Sequence, residues 1–383
     1  MIVSRLILRN WRNFQKVDVH LQQRVFLVGP NASGKSNLLD AFRFLRDIAK
    51  PGGGLQKAVA DRRGVSRIRC LSARRSPHVE IEVHLSPDVE SPNEWIYAIA
   101  FDQERGGKHQ THLVHEKVWR DGSLKLDRPD NNDKQDKQRL TQTSLEQINA
   151  NVEFREIAEF SERISYMHLV PQLLRHPESF PGLEMPGDPF GRRFLESLAK
   201  VNRRTREFRL KKIEDALKTV VPQLTSLNFV KDKATGEPHL EVRYKHWRPK
   251  AGKQREDQFS DGTLRLIGLL WSLLDGDSLL LLEEPELSLH PEVVKKLAPM
   301  IYTLQRHSWR QVILSTHSPD LLSDEGIGPE EVLMLNPTTE GTEVSLASDI
   351  EQVKGLLKYG KLPVGDVVLS YTAPQKPLSY WIL

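Results

Sequence analysis

The segment Gly29-Pro30-Asn31-Ala32-Ser33-Gly34-Lys35-Ser36 constrains this chain more than any other stretch. Its glycines let the backbone curl so that successive N–H groups point at one centre, and the positive end of a following helix adds to the attraction for an anion. Such a loop needs a strand before it and a helix after it. Arg24 to Val28 is a short β-rich run, and Leu38, Leu39, Phe42 and Leu45 then recur at helical spacing until Pro51-Gly52-Gly53-Gly54 stops them. Within the loop, Lys35 is expected to reach the β- and γ-phosphates of a nucleotide and Ser36 to ligate Mg²⁺. The bland alternative is a glycine-rich turn without a ligand.

Around this core the chain alternates strand and helix. Residues 2–8 and 16–21 alternate polar and apolar side chains and are expected as strands; 79–85, 95–101 and 111–119 read as an antiparallel sheet. Asp127 to Lys137 is polar and aperiodic and is expected as an exposed loop. A helix is expected over 144–162 and a strand over 164–170. A Pro/Gly-rich stretch from 171 to 191 precedes a long helical segment, 192–221, and a hairpin with arms 225–232 and 239–246. An apolar helix at 264–274, a buried strand at 278–282, a helix at 291–304 and a buried strand at 311–314 imply an α/β core with a parallel sheet.

At 383 residues the chain can bury a sizeable core, and its net charge of +4 creates no whole-molecule field that favours nucleic acid. Cys70, the sole cysteine, excludes an internal disulfide and any cysteine-based metal site, and fits a reducing, cytoplasmic compartment. Arg5, Arg9 and Arg12 lack the apolar run of a secretory signal behind them, and the longest apolar run, 266–274, is too short to span a bilayer.

Three further motifs carry chemistry. Leu279 to Leu282 is an apolar strand that delivers Glu283 and Glu284 at its carboxyl end, the edge where ligands bind in α/β sheets. Glu283 is expected to hold Mg²⁺ and Glu284 to polarise an attacking water. Gln311 to Leu314 is a second such strand, ending at Ser315-Thr316-His317-Ser318-Pro319, where His317 could hydrogen-bond a γ-phosphate. Phe259-Ser260-Asp261-Gly262-Thr263-Leu264-Arg265 opens the apolar helix, with Ser260, Asp261 and Gly262 forming a second anion site at a helix start. Taken singly, each has a structural explanation: solvated turn acids, a hydrogen-bonding histidine, an N-cap.

Together the four motifs resemble the ATP-binding-cassette fold in its RecF-like and structural-maintenance-of-chromosomes-like branch, and most of all the stand-alone prokaryotic AAA-family ATPases related to the OLD family. Ser260-Asp261-Gly262-Thr263, Glu283-Glu284-Pro285-Glu286-Leu287-Ser288-Leu289-His290-Pro291 and the opening Leu6 to Phe14 carry the resemblance, which covers about 1–50, 160–172 and 225–335. It implies an ABC-type P-loop NTPase head, a mixed sheet plus an antiparallel β subdomain with an inserted helical arm. It also implies ATP and Mg²⁺ as ligands, with Arg12, Asn13 and Asn37 near the nucleotide and Gln172 at the metal. In that family ATP is sandwiched between the phosphate loop of one head and the signature segment of another, so Ser260 and Gly262 would serve a partner in a homodimer.

Two departures bear on the carry-over. Glu283 stands where the wider family has Asp, and Ser-Asp-Gly-Thr replaces the transporter-like Ser-Gly-Gly-Gln, which points away from a membrane importer. The expected domains are 1–170 and 222–345 for the two halves of the head, 171–221 for the arm and 346–383 for an extension. The arm is too short for a long coiled coil. Its basic residues in 192–212, and a second cluster at Arg62, Arg63, Arg67, Arg69, Arg74 and Arg75, could meet a phosphate backbone, although a solvated helix face explains the first as well. Too few residues follow His317 for the nuclease domain that OLD-like relatives carry, so a separate nuclease or other effector is implied. The expected function is a dimeric ATP-hydrolysing switch in DNA repair or anti-phage defence. The alternatives are a transporter ATPase subunit and a nucleotide-bound scaffold with negligible turnover.

Overall fold

In the computed structural model, residues 1–73, 78–104, 110–179, 187–248, 252–360 and 362–372 are described. The chain opens with β1 (Ile2–Trp11), β2 (Phe14–His20) and β3 (Arg24–Val28), and helix α1 (Lys35–Ala49) follows the glycine-rich loop. Next come β4 (Val79–Ser86), β5 (Trp95–Gln103), β6 (Thr111–Arg120), β7 (Ser123–Arg128) and β8 (Ser165–Met167). The second half supplies β9 (Leu224–Lys231), β10 (Pro238–Tyr244), β11 (Lys253–Arg255), β12 (Leu280–Glu283), β13 (Val312–Thr316), β14 (Val332–Thr338) and β15 (Gly341–Leu346).

These strands form a six-stranded antiparallel sheet ordered β2-β1-β4-β5-β6-β7, a six-stranded sheet ordered β15-β14-β3-β13-β12-β8 and a small sheet ordered β11-β10-β9. In the second sheet, β14, β3, β13, β12 and β8 run parallel and β15 antiparallel. Its central strands β3, β12 and β13 are mostly apolar because both faces are covered. Val25, Leu27, Leu281 and Ile313 face one core, shared with α1 and the antiparallel sheet. Phe26, Val28, Leu280, Leu282, Val312 and Leu314 face the other, shared with the helix Asp261–Leu274 and the insert. One-residue alternation along each strand therefore binds two cores into one body and leaves the strand ends free to present loops.

Several boundaries differ from the sequence-based expectation. Asp127–Lys137 is exposed over most of its length, as expected, but it is not all loop: Asn131–Gln135 is a short helix with a capping box at Asp130. Asp133 is 0% exposed. Arg128 holds Asp133 through two hydrogen bonds at 2.9 Å, and Arg139 adds a third at 3.1 Å. Arg128 and Asp133, the two buried residues of the segment, thus satisfy one another within an otherwise exposed stretch. The expected helix 144–162 is confined to Arg155–Glu162, and the expected strand 164–170 to Ser165–Met167.

The long helix expected over 192–221 is two helices, Phe194–Lys200 and Arg203–Lys218. Val201 is extended, the Asn202 side chain caps the second helix by accepting from Thr205 N–H, and Arg206 donates to the carbonyls of Leu198 and Val201 that end the first. The second helix lies down on the head through Leu210, Ile213 and Leu217. Part of the expected C-terminal extension lies outside the described residues, as do Arg74 and Arg75.

The buried Arg128–Asp133 pair yields a stability prediction. Hydrogen bonds from Arg128 are the largest influence on the Asp133 carboxyl and hold its pKa far below the usual carboxylate range. A depressed folded pKa contributes stability that is present above the unfolded value of about 3.9 and is lost as pH falls below it. Asp133→Ala is expected to cost about 3 kcal/mol in urea unfolding at pH 7, the low end for breaking a buried pair. Glu116, 3.1 Å from Arg128, remains to hold the guanidinium. The difference between variant and wild type should shrink as the pH drops below about 4; a pH-independent difference would contradict this role for the pair.

Candidate functional site

β3 hands its last residue, Val28, directly to the loop, and the loop turns through left-handed conformations at Ala32 (φ 62°) and Gly34 (φ 99°) before α1 begins at Lys35. A side chain at Gly34 would collide with the Asn13 amide. Asn13 lies in the β1–β2 turn. Its amide nitrogen donates to the Ser33 carbonyl at 2.9 Å and to Thr342 Oγ1 at 2.7 Å, and its oxygen accepts from the Asn37 amide at 2.8 Å. The hairpin thus fixes the curvature of the loop from outside. Lys35 is buried and donates to the carbonyls of Gly29 and Pro30 at 2.9 and 3.1 Å. Burial lowers its pKa, and Glu284, Glu283 and Glu286 oppose that shift.

β13 lies beside β3 and β12 beside β13, so the carboxyl end of β12 opens two strands from the loop. There the Ser36 hydroxyl donates to Glu283 Oε1, and the Tyr166 hydroxyl from β8 donates to Glu283 Oε2. The side chain that is one methylene longer than Asp therefore spans from Ser36 to Tyr166. His168 donates from its ring to the Glu283 carbonyl at 3.2 Å. Glu284 is left-handed (φ 44°), with its N–H on the Ser315 carbonyl at 3.1 Å. Its carboxylate lies 3.4 Å from His317 Nε2. Burial is the main cause that lowers the His317 pKa; Lys35 adds to it and Glu284 opposes it.

Arg12 (φ 52°) donates to Asp40 at 2.9 Å and to the Arg67 carbonyl at 3.2 Å, while its Nε is buried without a partner. It lines a cavity of about 920 Å³ that begins at Ser36 and Asn37 and continues along α1 past Asp40, Arg43 and Asp47. Arg62, Arg63 and Arg67 close it from the other side. Arg62 itself is spent on Asp40 and Asp47, both on α1. Half of the second basic cluster thus belongs to the wall beside the phosphate loop.

Ser260 caps the helix Asp261–Leu274, accepting from Thr263 N–H at 3.2 Å. Asp261 is held by Arg175 at 2.7 Å and by the Gln172 amide at 3.0 Å. Gln172, expected at the metal, sits in the first turn of the short helix Pro171–Arg175, and in this structure its amide meets the signature segment. At Gly262, a Cβ would stand 2.8 Å from the Ser288 carbonyl, so only glycine lets the signature helix and the Leu287–His290 loop approach. Of the basic residues in 192–212, Arg206 stacks on Phe229 at 4.0 Å, Arg209 pairs with Asp275 at 2.6 Å, and Arg203 pairs with Glu207 at 2.7 Å. Much of that charge is engaged within the chain.

A family model described as "AAA domain, putative AbiEii toxin, Type IV TA system" matches residues 24–323. The chain belongs to this AAA-domain family. Its fold is that of an ABC-type ATPase head of the RecF/SMC-like branch. The DNA replication and repair protein RecF of Roseiflexus castenholzii is 33% identical over 92 residues, 22% of this chain and 23% of that protein. RecF of Proteus mirabilis is 50% identical over 42 residues, 11% of this chain and 12% of that protein. These matches span less than a quarter of the curated relatives. Among solved structures, an SmcHead bound to the C-winged helix domain of ScpA aligns with TM-score 0.57 and 14% identity, covering 91% of this chain and 100% of the other. The Smc head domain of Pyrococcus furiosus, with an extended coiled coil and bound to the C-terminal domain of ScpA, aligns with TM-score 0.51 and 13% identity over 94% and 99%. Among the described residues, no helix of this chain is long and apolar enough to cross a membrane.

Proposed function

We propose that this chain binds ATP with Mg²⁺ at the Gly29–Ser36 loop and hydrolyses it, and that two copies close on the nucleotide. The single observation that carries the reading is the meeting of Ser36 with Glu283, beside Lys35 and the Glu284–His317 pair. The loop N–H groups between Asn31 and Gly34 would meet the phosphate anion, and Lys35 would leave its two carbonyls for the β- and γ-phosphates. A serine hydroxyl and one carboxylate suit Mg²⁺, a hard cation that keeps several waters and takes few protein ligands. Held by Ser36 and Glu283, it would offset charge on the phosphate oxygens. Glu284, aimed by its anchored backbone, would take the proton of the attacking water, and His317 would hydrogen-bond the γ-phosphate. Arg12, Asn13 and Asn37 would border the rest of the nucleotide in the arginine-rich cavity.

Ser260 and Gly262 would contact the γ-phosphate held by a second copy, from a helix start that offers free N–H groups. The wider role is a switch: ATP closes two heads and hydrolysis reopens them, in DNA repair or defence, with a separate effector protein. DNA would be met by the basic residues of 192–212.

The test is ATP turnover by the purified protein, with and without DNA, together with its mass by light scattering with and without ATP. The expected outcome is turnover together with a doubling of mass in ATP. A protein that neither binds ATP nor turns it over would end this reading, and a monomer under saturating ATP would end the sandwich.

A further inference from the structure

Three carboxylates surround Lys35. Glu283 faces Ser36 and Glu284 faces His317, while Glu286 folds inward from the turn after β12. Glu286 Oε1 accepts the Thr316 hydroxyl at 2.6 Å and the His317 backbone N–H at 3.3 Å. Its Oε2 is shut off from solvent without a hydrogen-bond partner. Burial raises the pKa of this group, and Glu284 pushes in the same direction. A turn glutamate would ordinarily point to water, and turning one inward costs solvation, so its two bonds must secure something. β12 and β13 lie in parallel with Glu283 opposite Ser315, so Glu286 ties together the two loops that leave them. The residue whose N–H it holds is the one whose ring lies 3.4 Å from Glu284.

We propose that Glu286 is a positioning residue that clamps the Thr316–His317 turn and thereby sets the His317 ring against Glu284. The inference rests on the ATPase reading for its effect on turnover, but the clamp itself does not. A glutamine retains an oxygen able to accept both bonds and removes the buried charge, whereas alanine removes the clamp.

Glu286→Ala is therefore expected to lower kcat about tenfold or more while KM for ATP stays within about threefold, and Glu286→Gln to stay within about threefold of wild type in both. In a His317→Ala background, Glu286→Ala should add no further loss of kcat, because its effect passes through that ring. Amide hydrogen exchange at 315–318 should quicken about tenfold in Glu286→Ala and stay unchanged in Glu286→Gln, a readout that needs no turnover. Unchanged exchange in Glu286→Ala, a Glu286→Gln as impaired as the alanine variant, or losses that multiply in the His317→Ala background would each overturn the proposal. If the wild type hydrolyses no ATP, the ATPase reading fails, and the exchange data still decide the clamp.

Discussion

Glu284→Gln is expected to bind ATP with near-normal affinity, to lose about two to three orders of magnitude in kcat, and to accumulate as a dimer in ATP. Glu284 cannot choose its direction freely, because its N–H is pinned to the Ser315 carbonyl at 3.1 Å and its φ of 44° turns the side chain out of the strand toward His317. Left-handed backbone at a non-glycine residue is costly, and here it delivers a carboxylate to the mouth of the phosphate loop. Glutamine has the same shape and keeps contact with His317 but cannot accept a proton from water. Binding should survive because Lys35, Ser36 and the loop N–H groups are untouched. Rapid-quench hydrolysis and light scattering on the same sample measure both halves of the expectation; normal turnover would move the catalytic role elsewhere.

The second large effect is expected at Lys35. Its ammonium is buried and held by the Gly29 and Pro30 carbonyls, with burial lowering its pKa against the pull of three glutamates. It is a preplaced cation whose present partners are two neutral acceptors. A triphosphate offers a stronger one, and loss of a charge-assisted hydrogen bond of about 1.5–3 kcal/mol corresponds to about 10- to 150-fold in affinity. Lys35→Ala should weaken ATP binding by that amount in titration calorimetry and abolish turnover.

The phosphate loop was legible because its chemistry is local: a strand, eight consecutive residues and a helix. The approach of Ser36 to Glu283 was legible only as an expectation, since the two are 247 residues apart and meet through the order β3-β13-β12. Tyr166 was not legible. It stands in a three-residue strand with no motif, and only the parallel pairing of β8 with β12 brings its hydroxyl to Glu283. The expected helix 192–221 failed because its apolar spacing runs on through Val201, while Asn202, an N-cap residue type, marked the break. The hairpin of β14 and β15 also went unread, although Thr338-Thr339-Glu340-Gly341 is a turn between a buried apolar run and an alternating one. Asp133 misled for a different reason. Polarity reads as exposure until its partner is known, and Arg128 is set by tertiary structure.

On the dimeric reading, the phosphate loop is half of a site whose other half lies on a second copy. Lys35→Ala breaks one half and Ser260→Glu, which sets a negative charge where a γ-phosphate would lie, breaks the other. Each variant alone should be inactive. Mixed in equal amounts, half of the dimers pair one of each and contain one intact site, so ATP turnover should recover to about a quarter of wild type. Turnover by the mixture no greater than that of the separate variants would contradict the composite site.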